Sequence, residues 1–233
     1  MFLAACASED QKTPQSIIEE EKLRKNGNML IENGNPKDAI SVFDKLILLD
    51  PANVLAYNGK AIAFDHSGNH LAAQDIYKTA LSIEPDSLLT KNNLAMSLIL
   101  NQQIDQAIEL LEPLVKDENN KTSPYIIFIS HNLALAYGIS GDHEKATKLN
   151  LRNMTKEQAQ ENIRFYEKYT KRKGKAANRK KKERNIGFIA ATTSATVVRR
   201  PAPSTAKSKI VSKEQDDKNT TFMGKSAVYI YPN

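Results

Sequence analysis

The residues that could hold a metal ion or activate a nucleophile are few in this sequence. Its four histidines are His66, His70, His131 and His143. His66 and His70 flank Gly68, where the pattern predicts a turn, so they cannot share one helical face as two zinc ligands would. His131 and His143 fall on different predicted helices of another repeat. With no GxGxxG, Walker, HExxH or GxSxG motif, the sequence predicts no enzyme, metal, cofactor or small-molecule substrate.

The single cysteine suggests a different chemistry. The chain opens MFLAAC, and LAAC resembles a bacterial lipobox, in which a peptidase cleaves before the cysteine and the thiol is acylated. Only two residues precede this box, whereas an export signal needs a basic region and an apolar region. Either the true start lies upstream or the match is accidental and the cysteine is free. We predict Cys6 as the lipid-attachment residue and residues 1–13 as the lipobox remnant and tether.

The positive charge is concentrated at one end of the chain. Residues 171–233 contain 16 Lys and Arg against 4 Asp and Glu, whereas the whole chain has a net charge of +6, which leaves −6 for residues 1–170. The run KRKGKAANRKKKER lacks interleaved aromatic residues, so we do not expect nucleic-acid recognition. Anionic lipid or an acidic protein remains a possible partner for it. We predict that residues 171–233 form a basic, mostly disordered tail.

Between these ends, four similar segments follow one another. Gly34, Gly68, Gln102 and Gly141 mark equivalent turns, at steps of 34, 34 and 39 residues. Glycine accepts the positive φ that ends a helix in such a turn, so glutamine in the third turn predicts either local strain or a shifted turn. A small residue follows each turn by five positions, where helices must approach closely: Ala39, Ala73, Ala107 and Ala146. This spacing resembles the tetratricopeptide repeat (TPR), whose units bury their apolar faces only by stacking.

The predicted fold class is therefore all-α: a TPR solenoid of four helix pairs over residues 14–170, closed by a C-terminal capping helix. Thr155 and Gln158 form a capping-box pattern at the start of that last helix. The polar segment 117–123 predicts a loop between the third and fourth repeats.

Such a stack implies a groove lined by the first helix of each pair. Apolar pockets with interspersed asparagines suit an extended or helical peptide, because amides can pair with its backbone. Arg24, Asn28 and Lys91 resemble part of the carboxylate clamp of chaperone-binding TPR domains, but Gly59 stands where that clamp has asparagine. The predicted lining residues are Arg24, Asn28, Leu55, Asn58, Ile62, Leu89, Asn92, Met96, Phe128, His131 and Leu135.

Residues 106–169 suggest a narrower family. QAIELLEPLV, the long loop, HNLALAYGISGDHEKA and the closing NMTKEQAQENIRFYEKY together resemble TadD-like TPR lipoproteins of tight-adherence (Flp) pilus assembly. The resemblance implies a non-enzymatic, pilotin-like factor anchored through Cys6 at the periplasmic face of the outer membrane. Its partner would be a secretin or another pilus-assembly component. The alternative is a soluble cytoplasmic TPR adaptor or secretion chaperone whose basic tail recruits an acidic partner.

Overall fold

The computed structural model of this protein describes residues 13–172. The predicted lipid-attachment residue Cys6 lies outside this range, as does the predicted tail (171–233) except residues 171 and 172, which are helical. The described residues confirm the all-α prediction, with four helix pairs followed by a closing helix. In chain order the helices are α1 (Pro14–Glu32), α2 (Pro36–Leu49), α3 (Val54–His66), α4 (His70–Ile83), α5 (Leu88–Leu100), α6 (Ile104–Lys116), α7 (Ile126–Ser140), α8 (His143–Asn153) and α9 (156–172).

Side-chain caps fix where the first and last helices begin. At α1, Thr13 Oγ1 accepts a hydrogen bond from the Ser16 amide at 3.2 Å, and Pro14 occupies the first turn, where its missing N–H costs nothing. At α9 the Thr155 amide donates to Gln158 Oε1 at 3.0 Å, and the Gln158 amide donates to Thr155 Oγ1 at 3.3 Å. These two bonds confirm the predicted capping box.

The turns inside the helix pairs use the left-handed backbone conformation. Gly34 has φ of 76° and Gly68 has φ of 77°, with open space where a side chain would lie. Gln102 adopts the same conformation with φ of 64°, although it carries a Cβ. The expected strain is therefore present in the third turn, because this region costs an ordinary residue roughly 1–2 kcal/mol.

The described residues divide into two compact units, one ending at Phe128 and one beginning at Ile129. In the first unit each helix from α1 to α6 packs on the next, and first helices also touch one another, α1 on α3 and α3 on α5. Contacts between successive second helices of the pairs are fewer, so α1, α3 and α5, the first helix of each pair in this unit, form the tighter layer. We call these three helices the first-helix layer. The alanines predicted at the crossings, Ala39, Ala73 and Ala107, are completely buried, as are the large side chains of Phe43 and Tyr77.

The segment between the first unit's last helix and α7 contains a short 3-10 turn, Glu118–Asn120. Asp117 Oδ1 accepts a hydrogen bond from the Asn119 amide at 2.9 Å, and Asn120 Nδ2 donates to the Leu114 carbonyl at 3.0 Å. These local bonds satisfy the backbone of the predicted loop, so it needs no regular secondary structure.

In the second unit, α9 closes the repeats by packing on α7. Gly138 makes room for Tyr166: a Cβ at Gly138 would lie 2.1 Å from the Tyr166 ring. Ala159, Tyr166 and Tyr169 are buried along one side of α9. Burial raises the pKa of the Tyr166 hydroxyl, which has no hydrogen-bond partner among the described residues. This tyrosine therefore stays neutral at physiological pH and acts as a core residue.

Within residues 13–172, none of the helices combines the length and the apolar character that crossing a bilayer requires.

Candidate functional site

Two glycines bring α1 and α3 together on a single aromatic ring. A Cβ at Gly27 would lie 2.6 Å from the Phe43 ring, and one at Gly59 would lie 2.3 Å from it. Both backbones can approach α2 this closely only because neither residue has a side chain. The same contact gives a physical reason for the incomplete carboxylate clamp, since an asparagine at position 59 would collide with Phe43.

On this pair of helices three of the predicted lining residues are accessible. Leu55 is 36% exposed on α3, and Arg24 and Asn28 are half-buried on α1. Asn53, which caps α3, donates from Nδ2 to Glu20 Oε2 on α1 at 3.3 Å. The two helices thus present an apolar side chain beside polar ones on the first-helix layer.

The other predicted lining residues differ in how far they reach solvent. Phe128 is 40% exposed and His131 is half-buried. Leu89 is only 5% exposed. The remaining predicted residues, Asn58, Ile62, Asn92, Met96 and Leu135, are fully buried.

Asn58 shows what a buried lining residue does in this structure. Its Nδ2 donates to the Val54 carbonyl at 3.0 Å and to Thr90 Oγ1 on α5 at 2.7 Å. Thr90 Oγ1 in turn donates to Ser87 Oγ at 3.1 Å. Asn58 Oδ1 is buried without a hydrogen-bond partner. The amide therefore ties the second repeat to the third.

A second set of hydrogen bonds also links these two repeats, and the sequence did not predict it. Asp65, 1% exposed at the end of α3, accepts hydrogen bonds at 2.8 Å from His70 Nδ1 and at 2.8 Å from Ser97 Oγ. Tyr77 donates to its other oxygen at 3.4 Å. We call these four residues the Asp65 network. The sequence contains no local signal for it, because Asp65 and Ser97 are 32 positions apart.

Although it contains Asp, His and Ser, the Asp65 network lacks the geometry of nucleophilic catalysis. Ser97 donates to the carboxylate, whereas a catalytic triad requires the serine hydroxyl to bond the imidazole. His66, the other histidine near this turn, ends α3, and desolvation lowers its pKa. Among residues 13–172, no three His, Cys, Asp or Glu side chains are grouped to hold a metal ion.

A cluster of cations in the C-terminal part of α9 was also missed. Arg164, Lys168, Lys171 and Arg172 are all exposed and line one surface depression together with Glu167. The signal was available in the sequence, since steps of four, seven and eight residues keep side chains on one helical face. The capping-box pattern predicts α9 only as a closing helix, and the predicted basic region begins at Lys171.

Comparisons with known proteins agree with this architecture. Residues 66–125 match the family model described as a tetratricopeptide repeat. The protein y4yS of Sinorhizobium fredii (strain NBRC 101917 / NGR234) is 34% identical over 77 residues, which cover 33% of this chain and 42% of the relative. The chain thus spans less than half the length of this relative.

Among solved structures, nearly identical TPR-like repeats from Podosopora anserina superpose with a TM-score of 0.54 at 17% identity, covering 76% of this chain and 98% of that chain. PilW, described as a widely conserved type IV pilus biogenesis factor, superposes with a TM-score of 0.52 at 20% identity, covering 60% of this chain and 61% of its own. At these identities the two structures establish a TPR-like solenoid fold. This fold is typical of protein–protein interaction adaptors that are not enzymes.

Proposed function

We propose that this chain is a non-enzymatic adaptor that binds a segment of another protein along the first-helix layer of α1–α6. More specifically, we propose a pilotin-like factor that is lipid-anchored and assists assembly of a tight-adherence pilus secretin. One observation carries the binding role: an accessible apolar side chain, Leu55, lies on α3 next to a helix that presents Arg24 and Asn28.

These three side chains offer complementary contacts to a peptide. Leu55 gains free energy if a partner's apolar side chain covers it, at about 25 cal/mol for each Å² removed from water. The Arg24 guanidinium and the Asn28 amide are donors suited to a carboxylate or a backbone carbonyl. Ile62, a fully buried member of the predicted groove, supports these contacts by fixing α3, the helix that carries Leu55.

The pilus assignment rests on the sequence of residues 106–169, which resembles TadD-like lipoproteins. PilW is a pilus biogenesis factor by its own description, but at 20% identity its likeness speaks for the fold alone. The proposed location is the periplasmic face of the outer membrane. Ala7, in place of an aspartate after Cys6, is similar to signals that permit export there.

The membrane attachment is tested by metabolic labelling. A lipoprotein carries several acyl chains, which favours stable anchoring, whereas one chain alone binds a bilayer weakly. We expect radiolabelled palmitate to enter the protein in its native bacterium and Cys6→Ser to abolish the label. Equal labelling of both forms would refute the anchor, and an unlabelled protein in the soluble cytoplasmic fraction would favour the soluble adaptor.

The binding face is tested by site-specific photocrosslinking in the same cells. A photoreactive phenylalanine analogue replaces Leu55, and a matched control carries it at Ile83, which is similarly exposed (39%) but lies on the second helix of the same repeat. We expect a crosslink to a secretin subunit from position 55, with little from position 83. Equal crosslinking from both positions, or secretin absent from the products, would contradict the proposal.

A further inference from the structure

We propose that Ile17 extends the partner-binding surface of α1 and α3 beyond the predicted groove. The bound segment then presents two apolar side chains, one to Leu55 and one to Ile17. Ile17 is 51% exposed near the start of α1 and is not among the predicted lining residues. The inference rests on the proposed adaptor function and deepens it, because it specifies a partner segment whose contact face is apolar and needs no net charge.

Ile17 lies on the same side of α1 as the two accessible groove residues of that helix. Arg24 and Asn28 follow it by seven and eleven positions. At about 100° per residue, both fall within about 20° of Ile17 around the helix axis. Ile18 is similarly exposed, at 60%, but is turned away from Ile17 by about 100°. Of these two neighbouring isoleucines, Ile17 alone therefore shares the groove side of the helix.

The first turns of α1 have no counterpart in the other first helices of this unit. α1 contains 19 residues, whereas α3 and α5 contain 13 each. Successive turns are 34 residues apart, so the α1 position equivalent to Val54, the start of α3, is Glu20. Residues 14–19 thus extend α1 by about 9 Å past the start of a regular repeat. Ile17 lies on this extension, where no described helix of a neighbouring repeat covers it.

A hydrogen bond fixes the base of the extension against α3. Glu20 Oε2 accepts a hydrogen bond from Asn53 Nδ2 at 3.3 Å, and Asn53 also caps α3. Along the helix axes, Ile17 lies three residues before this bond and Leu55 lies two residues after it. The axes of packed helices are about 8–10 Å apart, so one apolar side chain cannot cover both residues. The partner must therefore bring two.

The charges around these two side chains nearly balance, so they do not select a strongly charged partner. Residues 14–25 contain three Glu against three Lys or Arg. In α3, Lys60 pairs with Asp44 of α2 at 2.6 Å, and Asp65 is buried. The loop before α3 adds one further carboxylate, Asp50. Recognition at this end of the layer therefore depends on removing apolar surface from water and not on a net charge.

Site-specific photocrosslinking of the full chain in its native bacterium tests this inference. A photoreactive phenylalanine analogue replaces Ile17 in one variant and Ile18 in a second, and the Leu55 variant is the reference. We expect position 17 to give the same secretin adduct as position 55. Position 18 should give at least about fivefold less of it, because a rotation of about 100° turns the probe away from the bound segment.

The outcomes separate this inference from the proposed function. If position 55 captures the secretin and position 17 does not, the inference is overturned while the adaptor proposal stands. If neither position captures it, both fail. Equal yields from positions 17 and 18 would overturn the assignment of the face. An adduct of two copies of this chain, or a crosslink within one chain, would overturn the inference by showing that a second copy or the chain's own N-terminal segment covers Ile17.

A matched pair of aspartate variants measures the contribution of Ile17. With the photoreactive group at position 55, we expect Ile17→Asp to lower the yield of the secretin adduct about tenfold, because a charge would replace an apolar contact. Ile18→Asp makes the same change on the same turn, and its effect should stay within about twofold. Aspartate is compatible with the first turns of a helix, so both variants should keep α1 folded. Equal losses in the two variants would overturn the inference.

Salt dependence tests the apolar character of the contact. In isolated cell envelopes, we expect high salt to leave the adducts from positions 17 and 55 unchanged, because salt screens exposed charges and does not weaken apolar burial. Loss of both adducts in high salt would overturn the stated chemistry of the partner.

Discussion

Replacing Asp65 by alanine is expected to lower the free energy of unfolding by about 3–5 kcal/mol. The carboxylate is buried and accepts hydrogen bonds from His70, Ser97 and Tyr77, which come from α4 and α5. Its removal leaves buried donors without their acceptor, and each such donor costs about 1–3 kcal/mol. The loss should be large because one side chain joins three helices from two repeats.

Urea unfolding followed by far-UV circular dichroism measures this effect, since the chain contains no tryptophan. Repeat arrays can unfold in stages, so the whole transition should be compared and not only its midpoint. Asp75→Ala is the matched control, because Asp75 is exposed and pairs only with Lys78 on the surface; we expect less than about 1 kcal/mol. If both variants unfolded at the same urea concentration, the Asp65 network would not stabilise the stack.

Replacing Gly59 by alanine is expected to destabilise the first unit by about 1–3 kcal/mol, against the usual preference of helices for alanine. The added Cβ would lie 2.3 Å from the Phe43 ring, which is completely buried and cannot move aside freely. Without this contact, the same substitution inside a helix would stabilise it by about 1 kcal/mol. The sign of the effect therefore reports whether the close approach of α3 to Phe43 exists.

A double-mutant cycle isolates that contact. Phe43→Leu alone should destabilise by leaving a cavity, but combined with Gly59→Ala it gives the new methyl group room. We expect the double variant to lose clearly less stability than the sum of the two single losses. Additive losses, or a Gly59→Ala protein more stable than the wild type, would show that the predicted collision does not occur.

The groove prediction illustrates what spacing can establish about a site. Repeat position assigned Leu55, Asn58 and Ile62 to one side of α3, and the structure leaves Leu55 partly exposed while the other two are fully buried. Spacing specifies on which side of a helix a residue lies. It does not specify how far the side chain is buried, because burial depends on the neighbouring helices. Whether these residues contact a partner stays a prediction.

The sequence by itself determined the repeat architecture, because its signals are local. Three features each act within a few residues, and each is present in the structure: a residue with left-handed backbone at each turn, a small residue five positions later, and the reciprocal cap before α9. Tertiary structure alone decided the rest. The bonds from Asp65 to Ser97, the Gly59 approach to Phe43 and the Gly138 niche for Tyr166 join residues from separate helices. Such contacts depend on the distance and angle at which helices meet, which periodicity does not specify.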